Sequence, residues 1–184
     1  MTDPDSPFYR LLDTRYDMDR EEEAIAILNK HPELATEEWQ GPDEQGQPFV
    51  RGSTPLHYAA NDGKLTLMTL LIDLGANVNA CNANWYATPL SWAANNARIE
   101  AMKLLLENGA SIHSANAVHA AANGGSSCGS DTSKDYVQAL RLLHEQGADI
   151  NDKVFRDRLT PLGLALESGN TAAIEYLRSV GAKE

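Results

Sequence analysis

Residues 54–79 read TPLHYAANDGKLTLMTLLIDLGANVN, and the local chemistry of this stretch decides the fold. Thr54 can cap a helix, and Pro55 suits the first helical turn, where a missing N–H costs nothing. Leu56, Ala59 and Ala60 give a short helix one slim apolar side. Asn61-Asp62-Gly63 marks a turn, with glycine free to take a positive φ. Leu65, Leu67, Met68, Leu71 and Ile72 then load a second helix, which Gly75 stops as a left-handed cap. Two helices of this length cannot bury their apolar faces on each other alone. They need copies of themselves on either side.

The copies are present. TPLSWAANNARIEAMKLLLENGASIH begins at Thr88 and TPLGLALESGNTAAIEYLRSVGAK at Thr160. Thr54 leads Gly75, Thr88 leads Gly109 and Thr160 leads Gly181 by one common interval. The unit resembles the ankyrin repeat, whose roughly 33 residues carry T-P-L-H-x-A; Thr54-Pro55-Leu56-His57-Tyr58-Ala59 matches it letter for letter. The resemblance covers most of the chain. It implies an all-α ankyrin solenoid of about five helix-turn-helix repeats with short β-hairpin fingers, the degenerate first and last repeats acting as caps. The repeats are placed at approximately 6–35, 54–80, 88–114, 116–151 and 160–184, in a single domain spanning 1–184, with a long finger at 36–53 and a Gly/Ser-rich insertion at 124–134.

Composition narrows the function classes. No apolar run approaches the roughly 18 residues that suggest a membrane span, so no membrane partner is expected. The acidic start MTDPDSP lacks the basic-then-apolar pattern of a secretory signal. Cys81 and Cys128 follow neither metal-ligand nor C-x-x-C spacing, which fits reduced thiols and a cytoplasmic location. The net charge is −11, and residues 1–48 hold 13 Asp and Glu against 4 Lys and Arg. An acidic surface repels phosphate backbones, so no nucleic acid is expected. It would steer a basic protein toward the N-terminal end, or simply keep a capping repeat soluble.

The departures from the repeat are informative. Ser6-Pro7-Phe8-Tyr9-Arg10-Leu11-Leu12 is a degenerate TPLHxAA, and His31-Pro32 stands where Gly-Ala is expected, leaving the closure of that second helix open. The following connection carries about ten extra residues against the family spacing, and its Trp39, Phe49 and Val50 favour a folded, contact-making finger. In the next finger Tyr86 occupies the family's usual glycine position, beside Trp85. These rings either stand exposed as anchors or fold back on a neighbouring finger. Asn116 follows Gly109 after seven positions, where Thr88 follows Gly75 after thirteen, so the third finger is nearly deleted; Asn116 can still cap its helix. The 124–134 insertion is either neutral drift or a mobile arm that orders on a partner. Arg178, where earlier copies have Ile72 and Leu106, ends the stack.

No catalytic pattern emerges. His57 and His119 occupy the fourth place of the motif, where the family's imidazole hydrogen-bonds locally and to the next repeat. No histidine stands three or four residues from another, as a helical zinc pair requires, and Gly129-Ser130 lacks the lysine of a phosphate loop. No enzyme activity, cofactor or metal is expected. A nucleotide binder stacking a base on Trp85, Tyr86 and Trp92 is the alternative of another class; Lys64, Arg98 and Lys103, assigned to the convex second helices, are poorly placed for its phosphates.

The resemblance therefore implies a monomeric, non-enzymatic protein-protein interaction module, gripping on its concave face a partner with basic and aromatic features. Its job would be that of a scaffold or an inhibitor, for example an immunity-type inhibitor of a toxin or enzyme. Carried over position by position, the contacts fall on Val50, Arg51 and Ser53, on Tyr58, Asn61 and Asp62, and on Asn84, Trp85 and Ala87. Trp92, Asn95 and Asn96 continue the face, with Arg156 and Asp157 at the last finger.

Overall fold

The computed structural model describes residues 6–12, 20–41, 49–83, 86–113, 116–124, 135–153 and 159–184. Among these residues ten α-helices pair off: α1 (Pro7–Leu12) with α2 (Arg20–Lys30), α3 (Pro55–Asp62) with α4 (Leu65–Asp73), α5 (Pro89–Asn95) with α6 (Ile99–Glu107), α7 (Ala117–Asn123) with α8 (Tyr136–Glu145), and α9 (Pro161–Ser168) with α10 (Thr171–Ser179). Odd-numbered helices stack in one layer and even-numbered helices in the other. The odd layer packs the more closely of the two from α3 to α9. Its pairs of small residues (Ala59-Ala60, Ala93-Ala94, Ala121-Ala122) are buried and let backbones approach, which curves the stack toward this layer.

One continuous seam forms the core. Leu56, Met68, Leu71, Leu90, Met102, Leu105, Leu140, Leu143 and Leu177 are all at most 1% exposed. Burying each such side chain is worth about 1.5–3 kcal/mol, and every pair shares its apolar face with the next. Leu65, counted among the apolar residues of α4, is instead 40% exposed; it is the first residue of that helix and lies off the buried stripe of Leu67, Met68 and Leu71. Asn61 and Asp62 belong to the last turn of α3, and only Gly63 leaves it, at φ 74°.

Thr54, Thr88 and Thr160 stand on extended backbone at the N-caps of α3, α5 and α9, as the sequence suggests. Thr88 and Thr160 accept the backbone N–H groups of Ser91 and Gly163. Asn116 does not cap α7. It stands at φ 41°, ψ 20°, and its side chain makes no cap bond. Capping side chains are usually carried on backbone with negative φ, as at Thr88, Asp135, Thr160 and Asn170. The N-terminus of α4 borrows a partner: the Glu21 carboxylate, from α2, accepts the Leu67 N–H at 3.1 Å, an anion at the positive end of a helix.

The first repeat closes without Gly-Ala. His31 turns the chain, and a 3-10 helix at Pro32–Thr36 buries Leu34 and Ala35 where later repeats bury Ala76, Ala110 and Ala148. The fingers hold no strand among the described residues. Single cross-finger bonds stand in place of hairpin ladders, such as Asn82 N to Ala87 O at 3.0 Å and Ala83 N to Arg51 O at 2.9 Å. The tips, at 42–48, 84–85, 114–115 and 154–158, lie outside the described residues, as does 125–134 of the Gly/Ser-rich insertion.

Candidate interaction face

The face begins with the connection after the first repeat. Trp39 and Ser53 pair as a narrow neck: Trp39 N donates to Ser53 O (2.9 Å) and Gly52 N to Trp39 O (2.8 Å). Trp39 and Phe49 are each 2% exposed. Their rings meet edge to face at 4.9 Å, and the row continues from Phe49 to Tyr58 (5.7 Å) and from Tyr58 to Trp92 (5.1 Å). Val50 N donates to the Tyr58 hydroxyl at 2.9 Å. The two aromatic residues of the connection are thus spent inside the molecule.

That packing revises the expected contact set. Ser53 is fully buried in the neck, and Tyr58 is 5% exposed beneath Phe49. Neither side chain is free to meet a partner. Arg51 is exposed, and Val50 and Ala87 are half-buried. Trp92 is half-buried, held edge-on by Tyr58 and by His57 at 5.3 Å, so much of its ring is already occupied. Asn84, Trp85, Arg156 and Asp157 lie outside the described residues.

The polar positions form a short rail across the second and third helix pairs. Asn96 Nδ2 donates to Asn61 Oδ1 (2.7 Å), and Asn61 Nδ2 donates to Asp62 Oδ1 (2.8 Å). Asn95, beside them, is half-buried. Lys64 and Arg98 stand just before α4 and α6 rather than within them. Arg98 reaches back, its Nε donating to the Asn61 carbonyl at 3.2 Å. A cation therefore sits closer to the rail than its assignment to the convex helix implied.

Of the two readings of Tyr86, exposed anchor or ring folded back, the structure has the exposed one, although the family's contact positions do not include it. It is 72% exposed, with φ 49°. A non-glycine side chain in the left-handed region carries backbone strain of roughly 1 kcal/mol or more. The signal was available in the sequence: a tyrosine at the place where the repeat usually has glycine.

Beneath the fingers the two motif histidines join neighbouring repeats. Thr54 N donates to His57 Nδ1 (3.1 Å), so the ring proton resides on Nε2, which donates to Ala87 O (3.0 Å). Burial pushes the His57 pKa down to about 4, against the raising effect of its carbonyl partners at Ala87 and Ala80. His119 Nε2 donates to Asp152 O (3.0 Å). Its pKa is also lowered, by burial first, opposed by that bond and by the Asp152 and Asp149 carboxylates. His57 is locked between two backbone groups and His119 is tied to one, which gives both rings a structural part. Among the described residues no group of three or more His, Cys, Asp and Glu is arranged to hold a metal ion, and no helix is long and apolar enough to cross a membrane.

These features define a class: a solenoid of stacked helix pairs with a finger edge and an inner helical face. The family follows from comparison. A model described as ankyrin repeats (3 copies) matches residues 24–116, and one described as ankyrin repeats (many copies) matches residues 118–178. The chain belongs to the ankyrin-repeat family, whose members typically act as non-enzymatic modules binding other proteins. No curated protein matches it.

Proposed function

We propose that this chain is a non-enzymatic binding module that grips one protein partner on its inner helices and finger edge, as an inhibitor or scaffold. Tyr86 carries the reading. A large aromatic side chain stands 72% exposed on strained backbone, and exposed tyrosine is a favoured interface anchor. Around it we place Val50, Arg51, Asn61, Asp62, Ala87, Trp92, Asn95 and Asn96. Asn84, Trp85, Arg156 and Asp157 remain in the proposal on the family pattern. The excess of acid, 13 carboxylates against 4 cations in residues 1–48, favours a basic partner and, of the two jobs, the inhibitor: an immunity-type protein covering the active site of a toxin or enzyme. The half-buried ring of Trp92, engaged edge-on by Tyr58 and His57, leaves little face for base stacking. We place the protein in a reducing, cytoplasmic setting.

The test is affinity capture from the native host with the wild-type chain and with a Tyr86→Ala/Trp92→Ala double variant. A protein retained by the first and lost by the second supports this face. Truncating a central anchor costs roughly 2 kcal/mol or more, about thirtyfold in affinity. Equal retention by both chains removes the face from consideration.

A further inference from the structure

The near-deletion of the third finger leaves space. A recess of about 220 Å³ opens between what remains of that finger and the start of the fourth. Ile112, Val118 and Ala148 supply apolar wall, His113, Asp149 and Asp152 supply polar lining, and His119 is also part of it. The volume is below the roughly 300–1,000 Å³ typical of small-molecule pockets. It suits a single long side chain.

Charge selects which one. Asp149 and Asp152 are exposed, and each is held by a backbone bond: Asn151 N donates to Asp149 Oδ1 (2.8 Å) and Lys153 N to Asp152 Oδ1 (2.8 Å). A carboxylate has acceptor capacity to spare after one such bond. Both raise the proton affinity of His119 against its burial, so the recess is electronegative within. His119 itself is committed to Asp152 O through Nε2. Apolar walls with two carboxylates match the aliphatic stem and planar fork of arginine, which is more weakly hydrated than lysine and pairs readily with carboxylates.

We propose that this recess receives an arginine side chain of a protein partner, the stem against Ile112, Val118 and Ala148 and the guanidinium at the carboxylates of Asp149 and Asp152. This site uses none of the residues placed on the inner face around Tyr86, so either can fail without the other.

The probe is N-acetyl-arginine amide, titrated into the full chain and followed by amide chemical shifts. Saturable shifts centred on Ile112, Val118, Asp149 and Asp152 are expected. Asp149→Asn/Asp152→Asn should weaken binding about tenfold through loss of charge-assisted bonds. That variant is expected to fold, because Asn77 fills the place of Asp149 in the second repeat and accepts the Asn79 N–H in the same way, at 2.9 Å; unchanged shifts elsewhere check this. On binding, the His119 pKa should fall further as the guanidinium offsets the carboxylates, a readout that a merely structural role would leave still. No saturable shift, equal binding of N-acetyl-norleucine amide, or an unaffected double variant overturns the proposal. So does tighter binding of free arginine than of the blocked amide, which would indicate a small-molecule site. Binding that strengthens tenfold in an Arg156→Ala/Arg158→Ala chain overturns it as well, making the chain's own fourth finger the occupant.

Discussion

The chain departs from its repeat length twice between helix pairs, in opposite directions, and the outcomes differ in kind. After the first repeat it has about ten residues too many for the family spacing, and Trp39 and Phe49 of that surplus are buried in an aromatic row ending on Tyr58 and Trp92. After the third pair, only seven positions separate Gly109 from Asn116, and a recess opens there. Extra chain with aromatic residues occupies the face it crosses. Missing chain exposes what a finger would have covered.

The largest expected effect tests the first half of that contrast. Trp39→Ala removes a side chain that is 2% exposed and should cost about 3–5 kcal/mol, read as a shift in urea midpoint. Gly41→Ala reaches a similar end by another route, since a Cβ there falls 2.2 Å from the Trp39 ring. A loss under about 1 kcal/mol for Trp39→Ala would mean that the connection merely rests on the repeats.

The two motif histidines sharpen the contrast, one beneath a full finger and the other beneath the deleted one. His57 has its folded pKa near 4, below the ordinary 6.5, so the unfolded chain takes up the proton more readily. Its contribution is fully present above pH 6.5 and is lost as pH falls toward 4, about 3 kcal/mol over that window. His119, also lowered by burial although Asp152 and Asp149 oppose the shift, adds loss in the same direction. Urea unfolding at steps from pH 7 to pH 4, with His57→Gln flattening the profile, checks both sign and size; a flat wild-type profile contradicts the burial argument.

Finger-to-finger bridges come next. Asn79 donates to Gly109 O (3.1 Å) and accepts from Ser111 N (2.7 Å), tying one repeat to the next, and Asn151 accepts from Lys183 N at 2.7 Å. His113 holds the corresponding place at the short finger. Asn79→Ala should cost about 1–2 kcal/mol, whereas His113→Asn should return about 1 kcal/mol by restoring such a bridge. Thermal denaturation of the pair decides; equal effects of one sign would show that the short finger is not the weak link.

The smallest effect is also a stabilising one. Tyr86→Gly relieves the positive φ without removing packing and should stabilise the chain by up to about 1 kcal/mol. Partner binding should weaken in the same variant. Stabilisation with binding intact would leave Tyr86 without a role.

Sequence by itself determined the repeat, because a threonine cap, a proline, a stripe of small and apolar residues and a closing glycine are local requirements that recur at one interval. It also marked Tyr86 as the wrong residue for its place and gave the histidines their structural part. It misplaced Ser53 and Tyr58, since nothing local says that Phe49 folds back over Tyr58 or that Ser53 forms a buried neck with Trp39. Asn116 has a capping side chain, yet its left-handed backbone leaves it without a cap bond. Which aromatic residues are covered, where a charge lies beside a rail of amides, and where the stack leaves a hollow depend on contacts between segments far apart in the chain. Only the tertiary structure decided those, because burial is a property of the space between elements and not of any one of them.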